Sequence, residues 1–289
     1  MKSIYLFVIG LFLSVSVFSQ IAPTNINTTN HQQRENRSVY LKYNTGIGIS
    51  IYRDFATSPL YYSGIILSTD FSRLRTGFNK ETVVHFSHFY GLYSSYYNDH
   101  IAQSTVLGVS QSYAMMYCIK YSKNKKTNLK VGGMLKSLFL VRINSSLMNN
   151  GFGYEWFPTL FGSAKLTVDV SRKQEKHKRF LLWDYTLKPR RKDFSFLLNI
   201  GLINASLRNG FAYLGQSVVE NDFRLFDGYQ FKLFSGARVQ SSLAYTIHLY
   251  NKNALEFSYD WEVLTAKNDF SLFEMSSHVL KLSFLFNTK

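Results

Sequence analysis

The chain has 289 residues, 17% of them aromatic, with four prolines, one cysteine and a formal net charge of +15. Beyond its amino-terminal stretch nothing approaches the ~20 consecutive apolar residues of a spanning helix, so only strands could cross a membrane here. A lone Cys118 excludes an internal disulfide, and no cysteine lies near the expected cleavage site to accept a lipid anchor.

Met1-Lys2-Ser3 is a short basic start, Ile4 to Phe18 an apolar run and Val17-Phe18-Ser19 a small-residue site. That pattern predicts an export signal over 1–19, cleaved before Gln20. Residues 20–37 are rich in Asn, Thr and Gln and lack periodicity, which reads as a flexible lead-in. The rest, 38–289, reads as one domain.

Alternation begins at Val39, where Leu41, Tyr43, Ile47, Ile49 and Ile51 oppose Lys42, Asn44, Gly46, Gly48 and Ser50. Successive strand side chains point to opposite faces, so this is a strand with one apolar and one polar face. Asp54 to Pro59 reads as a turn, Leu60 to Ser72 repeats the pattern less cleanly, and Glu81 to Tyr93 sets Val84, Phe86, Tyr90 and Leu92 against His85, Ser87 and Gly91. Tyr96 to Gln103 reads as a loop. Thr105 to Tyr121 is the fourth strand, and the fifth runs to Arg142, although Met134, Leu138 and Leu140 stand on its polar face. Ile143 to Phe157 reads as a loop, Pro158 to Ser171 as the sixth strand and Phe194 to Leu207 as the seventh. Between the last two, a basic stretch from Arg172 to Lys192 flanks an apolar core, Phe180 to Leu187, that could itself be a strand. After a long connection to Gly228 comes the cleanest hairpin, Val239 to Val263. One of its faces carries Leu243, Tyr245, Phe257 and Trp261, and the other Glu256, Asp260 and Glu262. A final strand sets Leu280, Leu282, Phe284 and Phe286 against Lys281 and Ser283.

The count is ten strands, or twelve if the Phe180–Leu187 core and part of Phe211 to Phe234 pair as well. A soluble barrel would show the same alternation with its faces reversed. Charges are nearly absent from the apolar faces, while the polar faces carry both signs, so the expected fold is an all-β antiparallel transmembrane β-barrel with its apolar face toward lipid. The closing Phe284-Leu285-Phe286 resembles the aromatic-ended terminal strand of Gram-negative outer-membrane barrels, with Asn287, Thr288 and Lys289 following the last aromatic. This architectural resemblance implies the cell outer membrane, contact with its lipids and insertion by the outer-membrane barrel assembly machinery.

The expected lumen charges are Lys42, Asp70, Lys130, Lys136, Arg142, Lys165, Asp169, Arg238, Glu256, Asp260, Glu262 and Lys281. In a narrow bore they need partners, so a plugged, salt-bridged interior is favoured over a weakly anion-preferring passage. The basic turns at Arg73 to Lys80, Ser122 to Thr127, Arg172 to Lys192 and Lys252 fall on one side, where they could meet anionic headgroups or an acidic periplasmic partner. Nucleic acid is excluded by export.

His85-Phe86-Ser87 resembles the His-x-Ser pair of outer-membrane phospholipase A and the lipid A deacylases, with His88 where those families usually carry asparagine. The resemblance would make Ser87 a nucleophile activated by His85. An ester hydrolase is thus the alternative to a non-enzymatic barrel acting as structural component, receptor or narrow channel. No metal-ligand or phosphate-loop spacing is present, so no cofactor is implied.

Overall fold

A computed structural model describes residues 38–288 apart from 78, 98–99, 123, 125, 148–150, 181–182, 210–228 and 268–270. The expected export signal, 1–19, and lead-in, 20–37, lie outside the described residues. In chain order the strands are β1 (Ser38–Asp54), β2 (Ser58–Thr76), β3 (Lys80–Tyr97), β4 (His100–Tyr121), β5 (Thr127–Asn144), β6 (Phe152–Asp169), β7 (Lys176–Phe180) and β8 (Trp183–Leu187). They continue with β9 (Lys192–Asn204), β10 (Ser206–Asn209), β11 (Tyr229–Lys232), β12 (Arg238–His248), β13 (Ala254–Lys267) and β14 (Leu272–Asn287).

Ten of these close into an antiparallel barrel, in the order β1-β2-β3-β4-β5-β6-β9-β12-β13-β14 and back to β1. The twelve-strand alternative is corrected: β7 and β8 form a separate two-stranded hairpin, and β10 with β11 extends the wall above β6 through a single pairing, Leu207↔Trp156. The loops read at Tyr96 to Gln103 and Ile143 to Phe157 are largely strand, because β3, β4, β5 and β6 run on past the apolar band on which periodicity is strongest.

Strand pairing also fixes the tilt. Partners followed from Thr45 through Thr69, His88, Val109 and Phe139 reach Trp156. Followed the other way, through Leu282, Phe257, Tyr245 and Phe194, they reach Val168 on the same strand. An offset of that size in a barrel this narrow inclines the strands by roughly 40° to its axis. Such coiling needs close backbone approaches. A Cβ on Gly48 would lie 2.1 Å from the carbonyl oxygen of His278, and one on Gly64 1.9 Å from that of Leu92.

The outer face is apolar and the inner face polar, the reverse of a soluble barrel. Ile47 is 57% exposed and Leu280 64%, whereas Ser50 and Ser283 are buried at 1% and 0%. The start of β1, the end of β14 and the β2–β3, β4–β5, β6–β9 and β12–β13 connections share one end of the barrel, called here the termini end. The remaining connections form the loop end.

Candidate functional site

The interior is built in tiers. At the loop end, large inward side chains pack against one another: Tyr52 stacks on Tyr62 with centroids 5.2 Å apart, Tyr93 meets Tyr52 edge-on at 4.9 Å, and Phe157 stacks on Phe273 at 5.6 Å. Leu138 and Leu140, the apolar intruders on the polar face of β5, belong to this cluster, as do Ile66, Leu264 and Val279. Charged groups are set within it. Arg142 binds Asp54 at 2.5 Å and grips Glu155 with two nitrogens, one of them Nε at 3.1 Å. Arg208 binds Asp54 at 2.7 Å and donates to the Ala266 carbonyl at 3.2 Å. The two guanidinium groups also lie over the Phe273 ring, at 5.5 and 5.0 Å. Planar cations sandwiched between carboxylates and rings satisfy charge and packing together, which is why arginine rather than lysine suits this tier.

Mid-barrel, the side chains are lysines and carboxylates among serines. Lys42 pairs with Glu256 at 2.5 Å, and Lys281 bridges Asp70 at 2.6 Å and Asp260 at 3.0 Å. Lys136 reaches across the bore to Glu262 at 2.8 Å. Toward the termini end, Glu81 accepts from Lys130 at 2.8 Å and Lys165 at 2.6 Å. Arg238, expected among the acidic partners, instead caps backbone: it donates to the carbonyls of Pro158 at 2.9 Å and Ala205 at 2.5 Å and to the Thr159 hydroxyl. Asp169 stands apart from the others, at the end of β6, where it accepts from the Ser171 N–H at 2.8 Å.

Four members of these networks were not among the expected site residues. Asp54, Glu155 and Arg208 lie in stretches that read as turn or loop, and Glu81 sits at a strand start. The signal that could have found them is the surplus of lumen cations over lumen acids in the sequence reading. Among the described residues, these networks then comprise eight cations (Lys42, Lys130, Lys136, Arg142, Lys165, Arg208, Arg238, Lys281) and seven acids (Asp54, Asp70, Glu81, Glu155, Glu256, Asp260, Glu262). The networks are thus close to charge-balanced, and the basic turns of the described residues add to the chain's +15. Much of it is at the termini end, where Arg172 and Arg190 form a backbone bridge and Arg190 lies 5.1 Å over the Tyr250 ring.

His85 and Ser87 both line the interior cavity. Asp70, in register with Ser87 on β2, pairs with Lys281 at 2.6 Å, accepts from Asn44 at 3.3 Å and also interacts with His85 and Ser87. Among the described residues, no group of three or more His, Cys, Asp or Glu side chains is placed to hold a metal ion. Between the tiers lies a cavity of about 310 Å³, with the loop-end cluster as its floor.

No protein-family model matches the chain, and no curated protein matches it at a significant level. Solved barrels do. The translocator domain of the autotransporter NalP from Neisseria meningitidis matches at 8% identity and a TM-score of 0.37, over 99% of this chain and 97% of that one. The transport unit of the autotransporter AIDA-I from Escherichia coli matches at 8% identity and a TM-score of 0.36, over 91% of this chain and 93% of that one. An outer-membrane channel from Pseudomonas putida F1 matches at 7% identity and a TM-score of 0.30, over 86% of this chain and 96% of that one.

Proposed function

We propose that this chain is a non-enzymatic outer-membrane β-barrel, with its termini end toward the periplasm, that acts as a structural component or receptor and does not conduct. The carrying observation is the loop-end tier, in which Tyr52, Tyr62, Phe157, Phe273, Arg142 and Arg208 fill the bore and are each under about a tenth exposed. A ten-strand barrel is narrow enough for its own side chains to fill it, and here those side chains are mutually bonded. The apolar outer wall supports the membrane placement, and the export signal read in the sequence supports the outer membrane. The basic termini end faces the inner leaflet in this orientation and suits anionic headgroups there. Outer-membrane lipids are thus the surrounding partner, and the barrel assembly machinery the means of insertion. Hydrolysis of a lipid ester finds no support, since an acyl chain in the membrane would have to cross the wall to reach Ser87.

The test is conductance in planar bilayers. Wild-type protein is expected to give no unitary steps, whereas Phe157→Ala with Phe273→Ala, checked for folding by heat-modifiable migration, opens small ones. Steady wild-type conductance of the size the double variant shows would overturn the plugged reading.

A further inference from the structure

The outer wall is not uniformly apolar. On β1 to β5 its outward residues include Thr45, Thr69, His88, Gln111 and Ser137. Thr45 pairs in register with Thr69, and Thr69 with His88; Gln111, a diagonal neighbour of His88, pairs with Ser137. The five make one continuous polar stripe. Pairing rows climb toward the loop end from β1 onward, and the stripe steps back from Val109 to Gln111, so it keeps near one level of the wall. That level lies inside the apolar band. Along their own strands His88 stands between Phe86 and Tyr90, 48% and 41% exposed, and Thr69 between Leu67 and Phe71, 55% and 52% exposed.

Ser137 accepts from the Trp156 indole at 2.7 Å. No side-chain hydrogen bond joins Thr45, Thr69, His88 or Gln111 to another described residue. Elsewhere the outer wall differs. His278 on β14 has its partner within the chain, the Tyr259 hydroxyl at 2.6 Å. On β6 and β9 the outward mid-strand residues are Leu160, Gly162, Ala164, Leu198 and Ile200, without a polar side chain among them.

The hydrocarbon layer offers no water, so outward amides and imidazoles within it are satisfied by another protein surface. That surface must carry polar groups at the depth of this stripe. A second copy of this chain, inserted in the same direction, does so at the same level, and a twofold axis parallel to the barrel axis sets stripe against stripe. Shape agrees with this. On the loop side of the stripe, Ile65, Leu67, Tyr90 and Leu92 line a groove of about 340 Å³ in the same outer face, where side chains of a facing barrel can seat.

We propose that the outer face of β1 to β5 is the contact surface of a homodimer in the membrane, with His88 and Gln111 of the two copies bonding across the twofold axis. Neutral imidazole and carboxamide each carry a donor and an acceptor, so either group can pair with its own kind or with the other. The inference goes beyond the plugged barrel and rests on the membrane placement given above.

The experiment uses the folded protein reconstituted in liposomes at low protein-to-lipid ratio. Subunit counting by photobleaching is expected to give dimers for the wild type. His88→Leu with Gln111→Leu, which makes the stripe apolar and better suited to lipid, should weaken dimerisation by about ten-fold. In a Cys118→Ser background, oxidation should cross-link Phe86→Cys, beside His88 on the central strand of the face, but not Leu160→Cys on the far wall. Folding of each variant is checked by heat-modifiable migration, and if the double variant misfolds, Gln111→Leu alone carries the comparison. A monomeric wild type would overturn the proposal. So would a dimer indifferent to the leucine substitutions, or equal cross-linking at the two walls. Release of the wild type from membranes without detergent would defeat the membrane placement itself, whereas a membrane-bound monomer would defeat only the dimer, so the two failures are distinguishable.

Discussion

The two halves of the bore use the same inward strand positions for different ends. At the loop end those positions carry rings and arginines, and at mid-barrel they carry serines, lysines and short acids. Both sets are electrostatically matched, so charge balance does not separate the ring-packed half from the one that borders the cavity. Side-chain bulk does. An arginine between two carboxylates and a phenylalanine ring is packed on every one of those sides, whereas a lysine paired with one carboxylate across a row of serines borders a cavity.

If that contrast is right, the largest effect should follow from emptying the sealed half. Arg142→Ala leaves Asp54 and Glu155 buried with less compensation and should cost about 3–5 kcal/mol, read as a fall in the urea unfolding midpoint in detergent or lipid. Replacing Asp54 and Glu155 by Asn and Gln in the same background should recover part of that loss. Phe273→Ala, which removes a fully buried ring beneath both guanidinium groups, should fall in the same range, at ~3–5 kcal/mol.

A smaller loss is expected from the outer wall. Leu243→Arg or Phe257→Arg places a charge on a surface now 40% and 53% exposed, at a cost of about 2–4 kcal/mol if it lies near the bilayer midplane. The same substitutions tolerated in full would return the outer wall to water and undo the membrane placement. In the hollow half, Lys136→Met should cost less again, roughly 1–3 kcal/mol, because Glu262 keeps Gln240 as a donor at 2.8 Å and its own side chain is a third exposed. Were Lys136→Met to cost as much as Arg142→Ala, the distinction between the halves would fail. Arg172→Gln and Arg190→Gln, at the solvated rim, should change the midpoint by under about 0.5 kcal/mol while weakening flotation with anionic vesicles.

All ten wall strands were legible in the sequence, because each spans an apolar band with a period of two, clear in Leu243, Tyr245 and Ile247 and weaker in the second and fifth strands. Their ends were not. Past the band the outward residues turn polar or aromatic and the period fades, so Asp54, Glu155 and Arg208 were read as turn or loop although they face the bore. The loop-end cluster was therefore visible only through Arg142 and through Leu138 and Leu140, which broke the polar face of β5. Pairing across the bore was beyond reach as well. Cross-strand neighbours can be inferred from a hairpin, but Lys136 with Glu262 joins side chains 126 positions apart, and Arg208 with Asp54 joins side chains 154 apart. Only closure of the ring brings them together.

Because the pairing rows climb the wall and meet β6 at Trp156 from one direction and at Val168 from the other, no belt of hydrogen bonds returns to its starting residue. Loss of the wall cannot proceed as a stack of hoops coming apart from one rim. It has to start as a slit between two particular strands and lengthen along the tilt. The shortest seam in the ring is the one joining β9 to β12, which runs only from Lys192–Ile247 to Ile200–Val239. Backbone amides of β9 should accordingly exchange with deuterium before those of β3 and β4, whose ladder extends from Lys80–Tyr117 to Tyr97–His100. The barrel has a built-in zipper end, and it lies beside the segment that carries Arg208 into the seal.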